Sequence, residues 1–269
     1  MIDKSKRLDY PDQGRQRINA IQSRPLPGIG DVVNDGEWPI LRTPRWKRGL
    51  DIAIILTILP AILPLIILTA IWIRVASFGP VIFRQSRIGR GGETFVLYKY
   101  RTMRMCTDAS RHEKHMRKMI EENRPLLKLD CLGDPELIAG GLLLRASGLD
   151  ELPQLLNVLR GEMSLVGPRP CLPYEYACYS PSQKERFRVV PGLTGSWQVC
   201  CKNPSTFAEM NSIDVDYVRS SSFAIDVRII VQTPRVLLSQ LCRAIHGTNH
   251  SKNVADSGLE FEKLSRSAR

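Results

Sequence analysis

The stretch "SGLDELPQL", residues 147–155, carries two adjacent carboxylates, Asp150 and Glu151, ahead of an apolar run. Such a pair can cap a helix, bind a hard cation or supply an oxygen nucleophile. Pro153 fits only where a helix does not use its N–H, which places the helix start at about Asp150 with Pro153 in the first turn. A purely structural account is then available: Asp150 caps the helix and Glu151 complements the positive end of its dipole. Nearby cations point to chemistry instead. Arg145 lies just before the pair, and Arg169 stands between Pro168 and Pro170 in "SLVGPRP". The prolines fix their own φ and push Arg169 into an extended conformation, so its guanidinium is held rigidly. A surface turn would use the same residues, but rigidity also suits bidentate phosphate binding. Lys99 and Arg101, in "YKYRTM", add positive charge at a strand end. Adjacent carboxylates beside several cations suggest a divalent metal and a phosphoanhydride substrate, and oxygen ligands favour Mg²⁺ or Mn²⁺ over zinc.

The elements that position these groups begin with residues 52–73, "IAIILTILPAILPLIILTAIWI", which carry no charge. Roughly twenty such residues make a helix of about 30 Å, enough to span a bilayer core. A plain span conflicts with two features. Pro60 and Pro64 lie mid-run, where each removes a backbone hydrogen bond and bends the helix. Both flanks are also basic: Arg45, Lys47 and Arg48 before the run, Arg74, Arg84, Arg87 and Arg90 after it. The positive-inside tendency draws both ends to the cytoplasm, which predicts a re-entrant helix-break-helix entering and leaving through one leaflet. Backbone groups freed at the break need partners such as Thr57, Thr69 or neighbouring protein.

Residues 81–103 read as two strands around Gly89-Arg90-Gly91-Gly92. Residues 107–128 read as a charged helix. From 150 to 160 a short helix places Leu152, Leu155, Leu156 and Leu159 on one face. Residues 222–245 look amphipathic and helical, broken or kinked at Pro234. The expected fold class is α+β, mainly helical with a few short strands, with the N-terminal re-entrant membrane helix-break-helix and amphipathic interfacial helices. Residues 1–43 are expected to be a flexible tail, 44–76 the membrane hairpin, 77–245 a cytosolic catalytic domain and 246–269 a loose tail.

The totals agree with an anionic partner. The 269 residues carry a formal net charge of +11, which suits nucleic acid, an acidic membrane face or phosphorylated substrates. Seven cysteines, an odd number without paired CxxC spacing, argue against a disulfide framework or zinc site. Cys200-Cys201 reads as inert packing.

Several of these motifs occur together in order: "KRGLD" (47–51) before a proline-bearing apolar run, "RQSRIGRGGETFVLYKYRTM" (84–103), "LRASGLDELPQLLNVLRGEMSLVGPRP" (144–170), "PGLTGSWQV" (191–199) and "DVDYVRSSSFAIDVRII" (214–230). Over about residues 45–240 the chain resembles the bacterial sugar transferase family, the monotopic polyprenyl-phosphate phosphoglycosyl transferases. The resemblance implies transfer of a sugar phosphate from a UDP-sugar to undecaprenyl phosphate with release of UMP, initiating exopolysaccharide, capsule or glycan assembly. It implies that Asp150 and Glu151 are the catalytic dyad, with Asp150 the nucleophile and Glu151 helping to hold Mg²⁺. Lys99, Arg145 and Arg169 match basic positions that would bind phosphates, with Arg101 beside them, and Asp226 matches a further acidic position. The implied location is the cytoplasmic face of the bacterial inner membrane. Partners would be the two substrates, the leaflet and, in one allowed arrangement, a second copy of the chain.

The chain departs from the family pattern at two points. Leu63 precedes Pro64 where a serine is usual, and Cys200-Cys201-Lys202-Asn203 replaces a Gly-Arg element after "PGLTGSWQV". The sequence reads as the short form, a minimal catalytic core with a longer tail, and "LTGSWQ" is closest to members handling galactose or glucose. Two other classes compete. A membrane-anchored adaptor would leave Asp150, Glu151 and Pro-Arg-Pro without a task. A nucleic-acid binder would need a recognition helix or an aromatic-basic platform, and neither is visible.

Overall fold

The computed structural model describes residues 38–104, 109–125, 136–200 and 206–245. Both expected tails fall almost wholly outside the described residues, as does Cys201.

The apolar run forms α1, Arg45–Ala76, a single helix of 32 residues with Pro60 and Pro64 inside it. Where two half-helices are expected, the structure has one element. A proline removes one hydrogen bond and bends a helix, but packing on both sides can hold the turns together. Here both sides are held. Towards the N-terminus, Arg48 donates to the carbonyls of Val158 and Leu159, and Asp51 accepts from the Ser164 hydroxyl at 3.1 Å and the Leu165 N–H at 3.0 Å. Towards the C-terminus, the Tyr100 hydroxyl donates to the Ile66 carbonyl at 2.8 Å and Trp72 Nε1 to the Ala139 carbonyl at 3.1 Å. Lys47, Asp51, Ile55, Thr69 and Ile73 are buried, while Leu56, Leu63, Ile67, Leu68 and Ile71 are exposed.

The expected strand pair is present. β1 (Ile82–Ile88) and β2 (Thr94–Tyr100) are antiparallel, with Phe83 opposite Lys99, Arg84 opposite Tyr98 and Arg87 opposite Phe95. The free edge of β2 is closed by one side chain. Asn157 accepts from the Tyr98 N–H at 3.1 Å and donates to the Val96 carbonyl at 2.7 Å, taking the place of a neighbouring strand. The charged helix is α2, Ala109–Glu121, and α3 spans Gly141–Ala146.

The acidic segment differs in detail from the expectation. Residues Leu149–Gln154 form a 3₁₀ turn that runs into α4, Leu155–Arg160. The cap position is Gly148 at φ 73°, not Asp150, and no side chain caps the turn. A side chain at Gly148 would be strained by that φ and would press on Leu237. The four leucines do not share a buried face. Leu155 is buried and Leu152 packs against the core, whereas Leu156 and Leu159 are exposed.

Beyond α4, β3 (Ser164–Val166) pairs in parallel with β4 (Gly192–Thr194), preceded by α5 (Pro173–Tyr176) and a 3₁₀ turn (Gln183–Arg188) and followed by α6 (Ser196–Cys200). The Gly167 N–H donates to the Thr194 carbonyl and the Gly192 N–H to the Pro168 carbonyl, each at 2.9 Å. Any Cβ on Gly192 would collide with the Gly167 backbone. This contact locks "VGPRP" onto "PGLTG". Two helices complete the domain, α7 (Phe207–Ser220) and α8 (Phe223–Ile245), with Pro234 inside an unbroken α8.

One ion pair joins α1 to α8. Lys47 donates to Asp226 and, at 3.1 Å, to the Tyr217 hydroxyl, which donates to Asp226 at 2.7 Å. Lys47 is 7 % and Asp226 1 % exposed. Removing one partner of such a pair leaves the other charge buried alone, at a cost of roughly 3–5 kcal/mol. Asp226→Asn is therefore expected to lower the thermal midpoint of the detergent-solubilised protein sharply. A normal midpoint with a raised KM would instead make Asp226 a substrate ligand.

Candidate active site

Strand alternation decides what the hairpin offers on each side. Register places Phe83, Gln85 and Arg87 of β1 on the same face as Phe95, Leu97 and Lys99 of β2. The 3₁₀ turn bearing Asp150 and Glu151 packs on β2, and Arg145 at the end of α3 reaches it as well. Arg145 Nε donates to Thr102 Oγ1 at 2.7 Å. Asp150 is buried and Glu151 half-buried.

Lys99 is the electrostatic centre of this group. Burial pushes its ammonium down to about 8, Arg87 and Arg145 push the same way, and Asp150 and Glu151 oppose them. Its Nζ also lies 5.4 Å from the Phe83 ring centroid. Arg87, which carries no site assignment in the sequence reading, is a member of the cluster. It is buried, and burial followed by the charge of Arg169 lowers its pKa, with Glu175 opposing. Arg87 Nη1 donates to the Pro170 carbonyl at 3.1 Å, and Gln85 Oε1 accepts from its Nε and Nη2. The signal for Arg87 was its in-phase position with Lys99, which becomes informative only once the register is known.

Arg169 joins through its backbone. Its carbonyl accepts from Arg186 Nη2 at 2.7 Å, its N–H is held by Asp214, and Arg186 also bonds Asp214, Tyr179 and, at 2.7 Å, Asn211. Arg186 is 1 % exposed. A buried guanidinium thus fixes the Pro-Arg-Pro turn from behind while the side chain of Arg169 lies near Arg87.

The structure brings Asp150, Glu151, Lys99 and Arg145 together, with Arg87 linking them to Arg169. Two sequence candidates are elsewhere. Arg101 donates Nη1 to the Phe78 carbonyl at 2.6 Å and Nη2 to the Ser77 carbonyl at 2.8 Å, fixing the chain where α1 ends. Asp226 is enclosed in the Lys47–Tyr217 network. Arg101 came from charge at a strand end and Asp226 from an acidic position of the family pattern, and neither signal tells a structural ion pair from a ligand-binding one. Pro60 and Pro64 lie mid-helix in α1.

No cluster of three or more His, Cys, Asp or Glu occurs among the described residues. Two carboxylates still fit Mg²⁺, which is commonly held by one or two carboxylates, waters and substrate phosphates rather than an all-protein cage. The arrangement can therefore receive a diphosphate: cations for its oxygens and a carboxylate pair for a hard ion or an in-line attack.

Comparison with known proteins agrees with this arrangement. The family model described as Bacterial sugar transferase matches residues 42–240. The UDP-glucose:undecaprenyl-phosphate glucose-1-phosphate transferase of Caulobacter vibrioides is 36 % identical over 234 residues, covering 84 % of this chain and 82 % of that protein. The exopolysaccharide production protein ExoY of Sinorhizobium fredii is 38 % identical over 197 residues, 72 % of this chain and 86 % of that protein. The galactosyl transferase CpsE of Streptococcus agalactiae is 41 % identical over 161 residues, 60 % of this chain and 35 % of that protein.

Lys99 gives the site a pH dependence. Its pKa is lowered, so its positive charge is present below about pH 8 and lost above it. An anionic ligand favours the charged form. UDP affinity measured by calorimetry is expected to fall through pH 8–9, by up to about tenfold per pH unit. Lys99→Arg should hold its affinity to higher pH; an unchanged profile in that variant would remove Lys99 from the binding site.

Proposed function

The chain belongs to the bacterial sugar transferase family, and from that membership we propose that it transfers a sugar 1-phosphate from a UDP-sugar to undecaprenyl phosphate, releasing UMP, in exopolysaccharide or related glycan assembly. The observation that carries the reading is the convergence of Asp150 and Glu151 with Lys99 and Arg145, with Arg87 and Arg169 adjoining. The enzyme is a phosphoglycosyl transferase, and a UDP-hexose, glucose or galactose, is the first substrate to assay.

The reaction proceeds in two displacements. An Asp150 carboxylate oxygen attacks the phosphorus that bears the sugar. The bond from that phosphorus to the UMP oxygen breaks, and UMP leaves with the electron pair. An Asp150 acyl phosphodiester of the sugar remains. A phosphate oxygen of undecaprenyl phosphate then attacks the same phosphorus and expels the Asp150 carboxylate, forming the lipid diphosphate sugar. A carboxylate is a weak nucleophile toward an anionic phosphate, so cations must offset the repulsion and the charge that spreads in the transition state. Lys99, Arg145 and Arg87 supply that charge around Asp150, and Arg169 extends it. Glu151, with Asp150 beside it, would hold Mg²⁺ or Mn²⁺, which when bound adds positive charge against the diphosphate oxygens.

The membrane arrangement follows from how α1 is attached. One face of α1 docks on a single domain near its start, through Arg48 and Asp51, and near its end, through Ile66, Trp72 and Ile73. A helix crossing the bilayer would carry one of these ends, and the domain surface bound to it, to the far side. Trp46 and Trp72 lie at the two ends of the apolar run, both partly exposed, as interfacial anchors do. We therefore read α1 as a re-entrant element, bent at its prolines, that returns to the cytoplasmic leaflet of the inner membrane. The active site then sits at the depth of the lipid phosphate.

The direct alternative is a ternary complex in which Asp150 only binds metal. With UDP-hexose and undecaprenyl phosphate, wild type should release UMP and Asp150→Asn should lose at least about a thousandfold of that rate, as removal of a covalent nucleophile does. Mass spectrometry after exposure to UDP-hexose alone should find a phospho-hexose adduct on Asp150. Turnover with no adduct at any time point would favour the ternary route, an Asp150→Asn enzyme as active as wild type would remove Asp150 as the nucleophile, and a wild type that releases no UMP would leave the adaptor. Cysteines introduced before Arg45 and after Ala76 should both resist labelling from the periplasmic side of spheroplasts; labelling of one would make α1 a true span.

A further inference from the structure

The face of the hairpin turned away from Lys99 carries a second set of cations that the transfer reaction does not use. By register and alternation, Arg84 and Tyr98 are directly opposite each other, on the side away from Phe83, Arg87 and Lys99. The Arg84 guanidinium lies 5.8 Å from the Tyr98 ring centroid and that of Arg160 lies 5.2 Å from it. Arg160 Nη1 also donates to the Tyr98 hydroxyl at 2.9 Å. One tyrosine thus holds two exposed guanidiniums, and neither forms an ion pair with a carboxylate among the described residues. With no carboxylate among the described residues paired to either, the two positive charges beside this one ring are open to an anion.

Its position says which anion. Tyr100, two residues along the same face and about 7 Å away by strand geometry, donates its hydroxyl to Ile66, in the C-terminal part of the apolar helix. On the other side, the end of α4 that bears Arg160 is held through the Val158 and Leu159 carbonyls by Arg48, in the first turn of α1. The cluster therefore lies between two attachment points of α1. Exposed apolar side chains adjoin it: Val96 at 41 %, Leu156 at 43 % and Leu159 at 39 % exposure. Two guanidiniums on an aromatic ring, beside apolar side chains and next to the membrane helix, match a lipid whose phosphate lies just above its acyl chains.

We infer that Arg84, Tyr98 and Arg160 form a binding site for the phosphodiester headgroup of an anionic phospholipid, separate from the catalytic centre and on the opposite face of the hairpin. This rests on the reading that α1 lies in the bilayer. The bound headgroup neutralises the guanidinium pair, and Leu156 and Leu159 enter the acyl region beside it. The hairpin is then seated on the leaflet by one face while the other presents Lys99 and Arg87 to the substrates.

The test is lipid retention by the full chain in nanodiscs containing equal parts phosphatidylglycerol and phosphatidylcholine, read by native mass spectrometry. Wild type should retain phosphatidylglycerol in preference to phosphatidylcholine. In Arg84→Gln/Arg160→Gln the ratio should fall roughly thirtyfold at low salt, the effect of removing two cations from a charged bilayer surface. UMP release in zwitterionic detergent should stay at the wild-type rate, which also shows that the variant folds. If it does not fold, Arg84→Lys/Arg160→Lys carries the test: the planar fork is lost and the charge kept, and its ratio should be lower than wild type. A wild type without lipid preference, or variants that retain lipid as wild type does, would overturn the site. So would a raised KM for undecaprenyl phosphate with unchanged lipid retention, because the site would then belong to the substrate. Retention is read without turnover, so a wild type that binds phosphatidylglycerol but releases no UMP refutes the transferase reading alone.

Discussion

The attachment of α1 to the domain along one of its faces is the constraint on which the rest of the structure depends. An apolar helix this long would gain most by burying itself wholly in lipid. Instead it commits charged and polar groups to the protein. Asp51 accepts from β3, Lys47 is enclosed by Tyr217 and Asp226, and Arg48 is spent on the carbonyls of α4. A buried ion pair contributes little net stability over an apolar replacement, but it is costly to break, so it fixes geometry more than it adds affinity. What it fixes here is the relation between the membrane element and three pieces of the site: α4 behind Asp150, β3 before Pro-Arg-Pro, and α8 against the Gly148 turn.

The site itself concentrates like charge. Burial, Arg87 and Arg145 lower the affinity of Lys99 for its proton, and burial followed by Arg169 does the same at Arg87. Such a cluster is unfavourable in the free protein and becomes favourable when a diphosphate enters it. The cost is borne by rigid supports. Asn157 completes the β2 edge, Gly167 and Gly192 pack backbone on backbone, and Arg186 holds the turn of Arg169 from within the core. Each of these supports limits how far a cation can move away from its neighbours.

Much of this was legible in the sequence, and what was not has specific physical causes. The hairpin was legible because alternation and a glycine-rich turn are local signals. The acidic pair was legible because Pro153 can occupy only an early helical position. The cap was misplaced at Asp150 because the 3₁₀ geometry of Leu149–Gln154 moves the start back to Gly148. Arg101, read from charge at a strand end, holds the chain where α1 ends, and Asp226, matched to the family pattern, lies in the Lys47–Tyr217 network, and neither signal shows whether such a residue binds ligand or ties the fold. Arg87 went unassigned because its partner Lys99 is twelve residues away across a hairpin whose register only the fold supplies. The prolines of α1 announced two half-helices, but the structure has one helix, and the tertiary contacts that hold it on both sides of the prolines come from α4, β2 and β3, far along the chain.

The hairpin also explains why one domain can face a nucleotide sugar and a membrane together. A strand pair has two faces separated by the thickness of its backbone, and its residues alternate between them. In β2, Lys99 falls on one side, and Tyr98 and Tyr100 fall on the other, in contact with Arg84, Arg160 and α1. A single-residue slip in register would send Lys99 to the side of Arg84 and Arg160 and Tyr98 into the cation cluster, so both faces are lost by the same error. Asn157 guards against that slip, since its amide matches the Tyr98 N–H and Val96 carbonyl at one register only. The same side chain therefore fixes which residues of β2 face the Asp150 cluster and which face α1 and Arg160.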